Sequence, residues 1–402
     1  MNANRVWADV DLDAMTHNLG VVRRRVGAHA RLILVTKADA YGHGAVGIGR
    51  HAVKHGVEAL GVGTSAEALE LRAAGIETPI LVLGTIVEGE ARDVVEHGID
   101  VGLHSMDRCK SLQELAQRSN RRARVHLNVD TGMGRLGVLP ERALDLLEAI
   151  HRASHLELAG VMTHVSSPNG LLDESTRLQL ARFDRVLEAA RRRGWARGWA
   201  HAANSACIFT CETATGPWYD AVRPGISTYG MLPRHLPGAD ELRPVLSLSS
   251  RIVFLKDLPN GAPVGYDSTW IARRPSRIAT LPLGYDDGMP WRMGNRGHVL
   301  VRGQRAPIVG YVSMDYTTVD VTDIPGAAVD DVVTIIGRDG DQTISLEDAA
   351  DTCGTISYEL VCALGKRVPR ILRGGEPQTG EHVPVSVPDS ARRQPIGLTE
   401  RP

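Results

Sequence analysis

Several features that mark specialised proteins are scarce in this 402-residue sequence. Its five cysteines are an odd number without dense spacing, which argues against a disulfide framework. No close Cys or His pair joins Cys207 and Cys211 to complete a metal site. No apolar run is long enough to span a membrane, and a formal net charge of -1 gives no field that attracts nucleic acid or anionic lipid. We therefore expect a cytoplasmic protein with free thiols, no metal and a small-molecule partner.

Lysine is also scarce, because it occurs at only five positions while arginine supplies 41 of the 46 basic residues. Lys37 has an unusual setting, since it follows the apolar segment 32–36 and precedes Ala38. An amine can lose its proton and attack a carbonyl, whereas a guanidinium cannot. Lys37 is therefore a candidate nucleophile. The alternative is a partly buried lysine that reaches the surface or pairs with Asp39.

Short apolar runs alternate with stretches of helical period between residues 31 and 225. The candidate strands are Leu32–Thr36, Ala59–Gly63, Ile80–Leu83, Asp100–Leu103, Arg124–Val129, Leu158–Thr163, Trp199–Ala203 and Tyr219–Val222. Apolar residues three and four apart between these runs indicate amphipathic helices. Eight β-α units in a row predict an α/β fold in the form of a closed (β/α)8 TIM-type barrel.

The pattern changes after residue 242, where short β-type runs, including one at 245–255, are separated by Gly, Pro and Asp. This pattern predicts a second, mostly β domain. We divide the chain into an N-terminal strand associated with the β domain (1–12), the barrel (13–240), the C-terminal β domain (241–374) and a loose tail (375–402).

Functional side chains of such barrels lie just after the strands, on the C-terminal face. Here those positions hold Lys37, the segment 130–135, His164, Asn204 with Ser205, and Arg223 with Gly225. Ser205 opens a predicted helix and the segment 223–226 offers backbone N–H groups, so both are candidate phosphate contacts. Either feature alone is better explained by the steric needs of a barrel turn.

Six motifs follow one another along the chain. They are VTKADAYGHG at 35–44, VDTGMGRLG at 129–137, HAANSA at 201–206, RPGISTYG at 223–230, PLGYDDG at 282–288 and ISYE at 356–359. Together they resemble the alanine racemase family of fold-type III enzymes, over most of residues 5–370. The resemblance implies an isomerase that interconverts L- and D-alanine, as in D-alanine biosynthesis. It also implies pyridoxal 5'-phosphate (PLP) bound to Lys37 as an aldimine.

The same resemblance implies two bases, Lys37 and Tyr266, on opposite faces of the cofactor. Arg135 and His164 would lie near the tyrosine and favour its ionised form. Arg223 would face the pyridine nitrogen, with His201 beneath it. Because arginine keeps its proton, that nitrogen would stay unprotonated, which favours return of the proton to Cα over transamination.

Further contacts are carried over from the family residue by residue. The implied cofactor contacts are Tyr41, His164, Asn204, Ser205, Gly225, Ile226 and Tyr358, and the implied substrate side is Tyr285, Met314 and Asp315. Tyr266 and the substrate-side residues would act on Lys37 of a second subunit, which implies a homodimer with shared active sites. The alternative is a monomer with an intramolecular site.

The sequence departs from the family at Asn128, where many members carry a carbamylated lysine that braces the arginine. Asparagine supplies no negative charge, so we hypothesise that a bound chloride braces Arg135 instead. The segments 164–170 and 313–316 also differ and surround the substrate side. A wider pocket there would make the protein a broad-spectrum or serine racemase.

Three other readings are less favoured. Fold-type III PLP decarboxylases usually place an acidic residue at the pyridine nitrogen, where this chain has Arg223. A non-catalytic PLP carrier would lack the β domain at 243–370. A structural or adaptor protein would leave the set Lys37, Arg223 and Tyr266 unexplained.

Overall fold

The computed structural model describes residues 4–166 and 174–375. Residues 376–402 of the expected tail (375–402) and residues 167–170 of the unusual segment lie outside the described residues. The strands are β1 (Val6–Asp11), β2 (Arg31–Val35), β3 (Ala59–Val62), β4 (Ile80–Val82), β5 (Asp100–Leu103), β6 (Ala123–Asn128), β7 (Leu156–Met162), β8 (Trp199–Asn204), β9 (Ala221–Arg223), β10 (Leu246–Arg251), β11 (Phe254–Leu258), β12 (Pro263–Val264), β13 (Trp270–Ile271), β14 (Ser276–Leu281), β15 (His298–Val301), β16 (Gln304–Pro307), β17 (Thr317–Asp320), β18 (Val332–Asp339), β19 (Gln342–Ile344) and β20 (Arg370–Arg373). The helices are α1 (Leu12–Val26), α2 (Lys37–Gly42), α3 (Ala45–Lys54), α4 (Ser65–Ala73), α5 (Ala91–Glu96), α6 (Met106–Arg118), α7 (Pro140–Arg152), α8 (Glu174–Arg192), α9 (Ser205–Thr210), α10 (Leu346–Cys353) and α11 (Ser357–Cys362).

The strands β2 to β9 form a closed parallel barrel in sequence order, with β9 pairing back to β2. Each of the eight candidate strands overlaps one barrel strand, so the predicted barrel is confirmed. Every residue of β3, β4 and β5 is buried, because helices cover the outside of the barrel while side chains fill its interior.

The barrel helices follow local sequence signals. α4 begins after Thr64, whose hydroxyl accepts from Glu67 N while the Glu67 carboxylate accepts from Thr64 N. α7 begins with Pro140, and its buried residues recur three and four apart: Ala143, Leu146, Leu147 and Ile150. Such a stripe on one face fixes each helix against the strands.

The C-terminal part contains a sheet in the order β16-β15-β18-β10-β1-β20, with β19 paired to β18, and smaller sheets β11-β14-β17 and β12-β13. The mostly β character predicted after the barrel is confirmed. The single run expected at 245–255 is wrong in detail, because β10 ends at Arg251 and β11 begins at Phe254 in a different sheet. Ile252 N bonds to Asp331 O and Val253 N to Thr280 O, so the chain changes sheets between these two residues.

The N-terminal strand β1 lies in the large C-terminal sheet, antiparallel to β10 and parallel to β20. Within the described ranges, no helix combines the length and the apolar character that crossing a bilayer requires.

Candidate active site

A cavity of about 470 Å³ opens where the barrel strands end. Most predicted site residues line it: Lys37, Tyr41, Asn128, Arg135, His164, Asn204, Ser205, Arg223, Gly225, Ile226 and Tyr358. They come from the ends of five barrel strands and, for Tyr358, from α11 of the β domain. The C-terminal face therefore gathers the residues expected there.

Lys37 opens a helical turn of unusual hand. The four residues 38–41 have φ of 53, 53, 54 and 52°, which is a left-handed turn of L-residues. Each such residue costs about 1–2 kcal/mol because its Cβ crowds the following carbonyl. The turn makes an abrupt exit from β2 and directs both Lys37 and Tyr41 toward the cavity.

Contacts from three directions hold this turn. Ala38 N donates to Glu67 Oε1 at 2.7 Å, and Ala45 N donates to Asp39 Oδ1 at 2.7 Å. Arg370, from the last strand, donates to Gly42 O at 2.8 Å. Asp39 is thus engaged with the backbone, and the alternative pairing of Lys37 with Asp39 is not formed.

The surroundings of Lys37 disfavour its protonated form. Burial and the positive charge of Arg135 lower the pKa of Lys37 below its ordinary value. A neutral amine is the form that attacks a carbonyl or accepts a proton. The lowered pKa therefore favours Lys37 as a nucleophile and as a base, compared with an ordinary lysine.

Arg223 is buried, with 3% of its surface exposed, and several acceptors fix its guanidinium. It donates to Thr163 O at 2.7 Å, Ala202 O at 3.0 Å, and both O and Nδ1 of His201 at 3.0 and 2.7 Å. Burial lowers the pKa of Arg223 to about 10, so it stays protonated at neutral pH. His201 does not line the cavity but contacts Arg223, as expected.

His164 lies beside the same guanidinium, with Nδ1 3.4 Å from Arg223 Nη2. Burial and the charges of Arg223, Arg135 and Lys37 lower the pKa of His164 to about 3, so its imidazole is neutral. Because arginine only donates, Nδ1 accepts and the proton sits on Nε2. Arg135 and His164 are the two residues expected to favour the ionised form of Tyr266. Arg135 is positively charged, whereas His164 is a neutral hydrogen-bond donor.

A pocket for an anionic group forms at the start of α9. Ser205 Oγ accepts from Gly225 N at 2.9 Å and from Ser227 N at 3.3 Å, which draws the two loops together. A Cβ at residue 225 would lie 3.0 Å from Tyr41 Oη, so glycine allows this close approach. Asn204 lines the cavity but its amide is occupied, since its oxygen caps α9 at Cys207 N and its nitrogen donates to Val165 O.

Asn128 and Arg135 lie on the same wall of the cavity. Asn128 Nδ2 donates to Leu136 O at 3.3 Å. In the described part of the chain, no carboxylate forms an ion pair with Arg135. The guanidinium therefore faces the cavity without a negative partner among the residues that the structure describes.

Besides His201, four predicted residues do not line this cavity: Tyr266, Tyr285, Met314 and Asp315. They belong to the β domain, where Tyr266, Met314 and Tyr285 are 72%, 52% and 47% exposed. The loops of Tyr285 and Met314 touch, since Tyr285 N bonds to Ser313 O, and a Cβ at residue 265, next to Tyr266, would lie 3.5 Å from Tyr311 N. Lys37 and Tyr266, the two predicted bases, therefore do not line a common cavity within one chain.

Sequence reasoning missed several residues of this arrangement. Leu83 and Pro233 line the cavity without any polar signal in the sequence. Arg367 holds the substrate-side loops by donating to Asp287 and, at 2.7 Å, to Asp315. Nothing in the sequence around Arg367, two residues before Pro369, indicates these partners.

Residues 10–233 match the family model of the alanine racemase N-terminal domain, and residues 245–372 match that of the alanine racemase C-terminal domain. The chain belongs to the alanine racemase family. The resemblance stated from the six motifs is therefore confirmed.

Individual relatives agree with this membership. An alanine racemase of Methanococcus maripaludis is 37% identical over 374 residues, which is 92% of this chain and 99% of that protein. The crystal structure of alanine racemase from D-cycloserine producing Streptomyces lavendulae has 34% identity and a TM-score of 0.86, and covers 93% of this chain and 98% of that one. Alanine racemase from Bartonella henselae, solved with covalently bound pyridoxal phosphate, has 31% identity and a TM-score of 0.80, and covers 92% and 99%.

The alanine racemase family is PLP-dependent, and this cavity fits that cofactor. It joins an amine of lowered pKa, a buried guanidinium, and a glycine cradle beside Ser205 and Tyr41. Aldehyde, ring nitrogen and phosphate are the three groups of PLP that need such partners.

Proposed function

We propose that this protein is an alanine racemase that holds PLP on Lys37 and uses Tyr266 of a second copy as its other base. Membership of the alanine racemase family supports the reaction. The single observation that carries the assignment of residues is the cavity that joins Lys37, of lowered pKa, to the buried Arg223. The groups that would hold the cofactor are Lys37, Arg223, Ser205, Tyr41, Tyr358 and the backbone N–H groups at 225–226.

Bound PLP draws electrons from the substrate Cα and so makes its proton acidic. Lys37 Nζ would accept or return that proton on one face, and its lowered pKa makes the neutral, proton-accepting form more accessible than in an ordinary lysine. Arg135 contributes to this balance by its positive charge. Lys37 thus combines cofactor attachment with proton transfer.

Arg223 controls what happens to the charge left on the substrate. Its carbonyl and imidazole acceptors keep the guanidinium fixed and protonated. A group that donates without giving up its proton leaves the ring nitrogen unprotonated. Arg223 would therefore favour return of the proton to Cα over transamination.

The opposite face requires a base that this single chain does not bring to the cavity. We assign it to Tyr266 of the partner subunit, since exposed apolar side chains on touching loops favour a protein interface. Neutral His164, with its proton on Nε2, can donate to a phenolate oxygen there. Arg135 adds positive charge, and a chloride at Asn128 would hold Arg135 in place.

The decisive experiment compares Lys37→Ala with Lys110→Ala, an exposed lysine on α6. Purified protein should show the visible absorption of PLP bound to an amine, and should convert L- to D-amino acids in a panel that includes serine. Lys37→Ala should lose the absorption and at least about 10²–10⁴-fold in rate, while Lys110→Ala keeps both.

The substrate panel separates the two racemase readings. Turnover dominated by alanine supports the narrow function, and equal rates with serine or larger substrates support a broad-spectrum enzyme. Colourless, inactive wild-type protein would reject both.

A further inference from the structure

A line of buried polar groups crosses the barrel interior beneath Arg223. Arg223 Nη1 lies 2.7 Å from His201 Nδ1, His201 Nε2 lies 2.9 Å from His126 Nδ1, and His126 Nε2 lies 3.3 Å from Asp100 Oδ2. None of the four residues is more than 3% exposed. The line runs from the end of β9, at the cavity, to Asp100 at the start of β5.

The hydrogen bonds of this line can point in only one direction. Arginine only donates, so His201 Nδ1 accepts and the single proton of His201 sits on Nε2. That proton is donated to His126 Nδ1, which places the proton of His126 on Nε2, facing the Asp100 carboxylate. A doubly protonated His126 would donate from both nitrogens and leave no acceptor for His201.

The charges at both ends support this direction. Burial and Arg223 place the pKa of His201 well below its ordinary value, so the imidazole is neutral. Burial alone would raise the pKa of Asp100, but hydrogen bonds from His126 and Arg124 outweigh it and leave that pKa below its ordinary value. Arg124 Nε holds the other Asp100 oxygen at 2.8 Å. Asp100 is therefore an acceptor at neutral pH.

The neighbouring strand leaves room for this line. Gly160 on β7 pairs in register with His126, and a Cβ at residue 160 would overlap the His126 ring. Hydrophobic side chains would fill a barrel interior without such an arrangement. A buried polar chain is stable only when each member is satisfied, and here each member is.

We propose that His126 and Asp100 are positioning residues for Arg223, because they fix the tautomer of His201 that accepts from the guanidinium. Without them, the proton of His201 can move to Nδ1 and face the N–H of Arg223. The guanidinium would then lose an acceptor and turn away from the cofactor ring. The proposal rests on the proposed function in assigning Arg223 to that ring.

The test measures the His201 tautomer directly, by imidazole nitrogen shifts in ¹⁵N-histidine-labelled holoenzyme. The His201 signal is identified by its loss in His201→Asn. We expect the proton on Nε2 in wild type and in His126→Gln, whose amide can still accept from His201 and donate to Asp100. His126→Leu offers neither group and should move the proton to Nδ1 or leave both tautomers populated.

Kinetics provide a second readout. His126→Leu should lower kcat about tenfold with little change in KM and should increase transamination of the cofactor, while His126→Gln restores both. His104→Leu, the same change at a half-buried histidine outside the line, should leave the His201 tautomer and the transamination fraction unchanged.

A wild-type His201 protonated on Nδ1 would overturn the proposal, even if His126→Leu does not fold. An unchanged tautomer and normal partition in folded His126→Leu would do the same. Either result leaves racemisation by Lys37 intact. Failure of the proposed function would instead appear as a colourless protein, whatever the tautomer of His201.

Discussion

Buried histidines give this protein a stability that depends on pH. Burial lowers the pKa of His43 to about 4, and burial with three nearby cations lowers that of His164 to about 3. The unfolded chain therefore binds more protons than the folded chain between these values and the ordinary histidine pKa of about 6.5. Stability contributed by these histidines is complete above that pH and is lost as the pH falls.

We expect the free energy of unfolding to decrease as the pH falls from about 6.5 to about 5, by up to about 1.4 kcal/mol per pH unit for each such histidine, and the melting temperature to decrease with it. His43→Phe keeps the ring that lies 4.7 Å from Tyr229 and removes one titrating group, so its slope should be smaller. Unfolding followed at several pH values measures both slopes. A melting temperature that does not change over this range would contradict the neutral histidines.

Arg135 gives a second prediction, because it faces the cavity without a carboxylate partner in the described residues. Replacing chloride by gluconate at constant ionic strength should lower the racemisation rate about tenfold, the worth of one charge-assisted hydrogen bond. Asn128→Asp supplies the negative charge from the protein and should remove the dependence. Asn120→Asp, in an exposed turn, should retain it. Equal wild-type rates in the two salts would rule out the chloride.

The left-handed turn of α2 predicts that a glycine in it would stabilise the protein. Ala38 has a φ of 53°, which glycine adopts without the steric cost paid by alanine. Ala38→Gly should therefore raise the free energy of unfolding by about 0.5–1 kcal/mol, after the larger entropy of the unfolded chain is deducted. Chemical unfolding of the two proteins measures the difference.

The matched control is Ala181→Gly, at an exposed position inside the right-handed helix α8. The same substitution there should destabilise the protein by about 1 kcal/mol. Opposite signs at the two sites would verify the hand of the turn, and destabilisation at both would refute it.

These elements differ in how well the sequence predicts them. Barrel strands are predictable because each is a short apolar run between amphipathic helices, and site residues because they follow strand ends. The turn at 38–41 is not, since only Asp39 among its residues is of a type enriched at positive φ and its contacts come from Glu67 and Arg370, far along the chain. The line from Arg223 to Asp100 is equally hidden, because it joins four different strands.

If the proposed dimer shares its active sites, two inactive variants should regain activity when they are combined in one dimer. Lys37→Ala and Tyr266→Phe homodimers should each lose at least about 10²-fold in rate. Mixing the two by unfolding and refolding should recover about a quarter of wild-type activity, since half of the dimers are mixed and each contains one intact site. The racemisation rate of the mixture measures the recovery.

A control mixture combines Lys37→Ala with Arg223→Ala, two residues that line the same cavity of one chain. No mixed dimer then contains an intact site, so no activity should return. If the Lys37→Ala and Tyr266→Phe mixture also stayed inactive, Tyr266 would not act across subunits.

The position of β1 affects how the chain folds as it is synthesised. The barrel strands all lie between residues 31 and 223, so the barrel can close early. β1 emerges first, yet its partner β10 emerges only after the barrel and its partner β20 emerges last, with Asp9 opposite both Ser247 and Ile371. Until then Val6–Asp11 is an apolar strand with two open edges, the kind that invites aggregation. A fragment released at residue 240 would carry that strand permanently, so a premature stop here would yield a chaperone client and not a smaller functional enzyme.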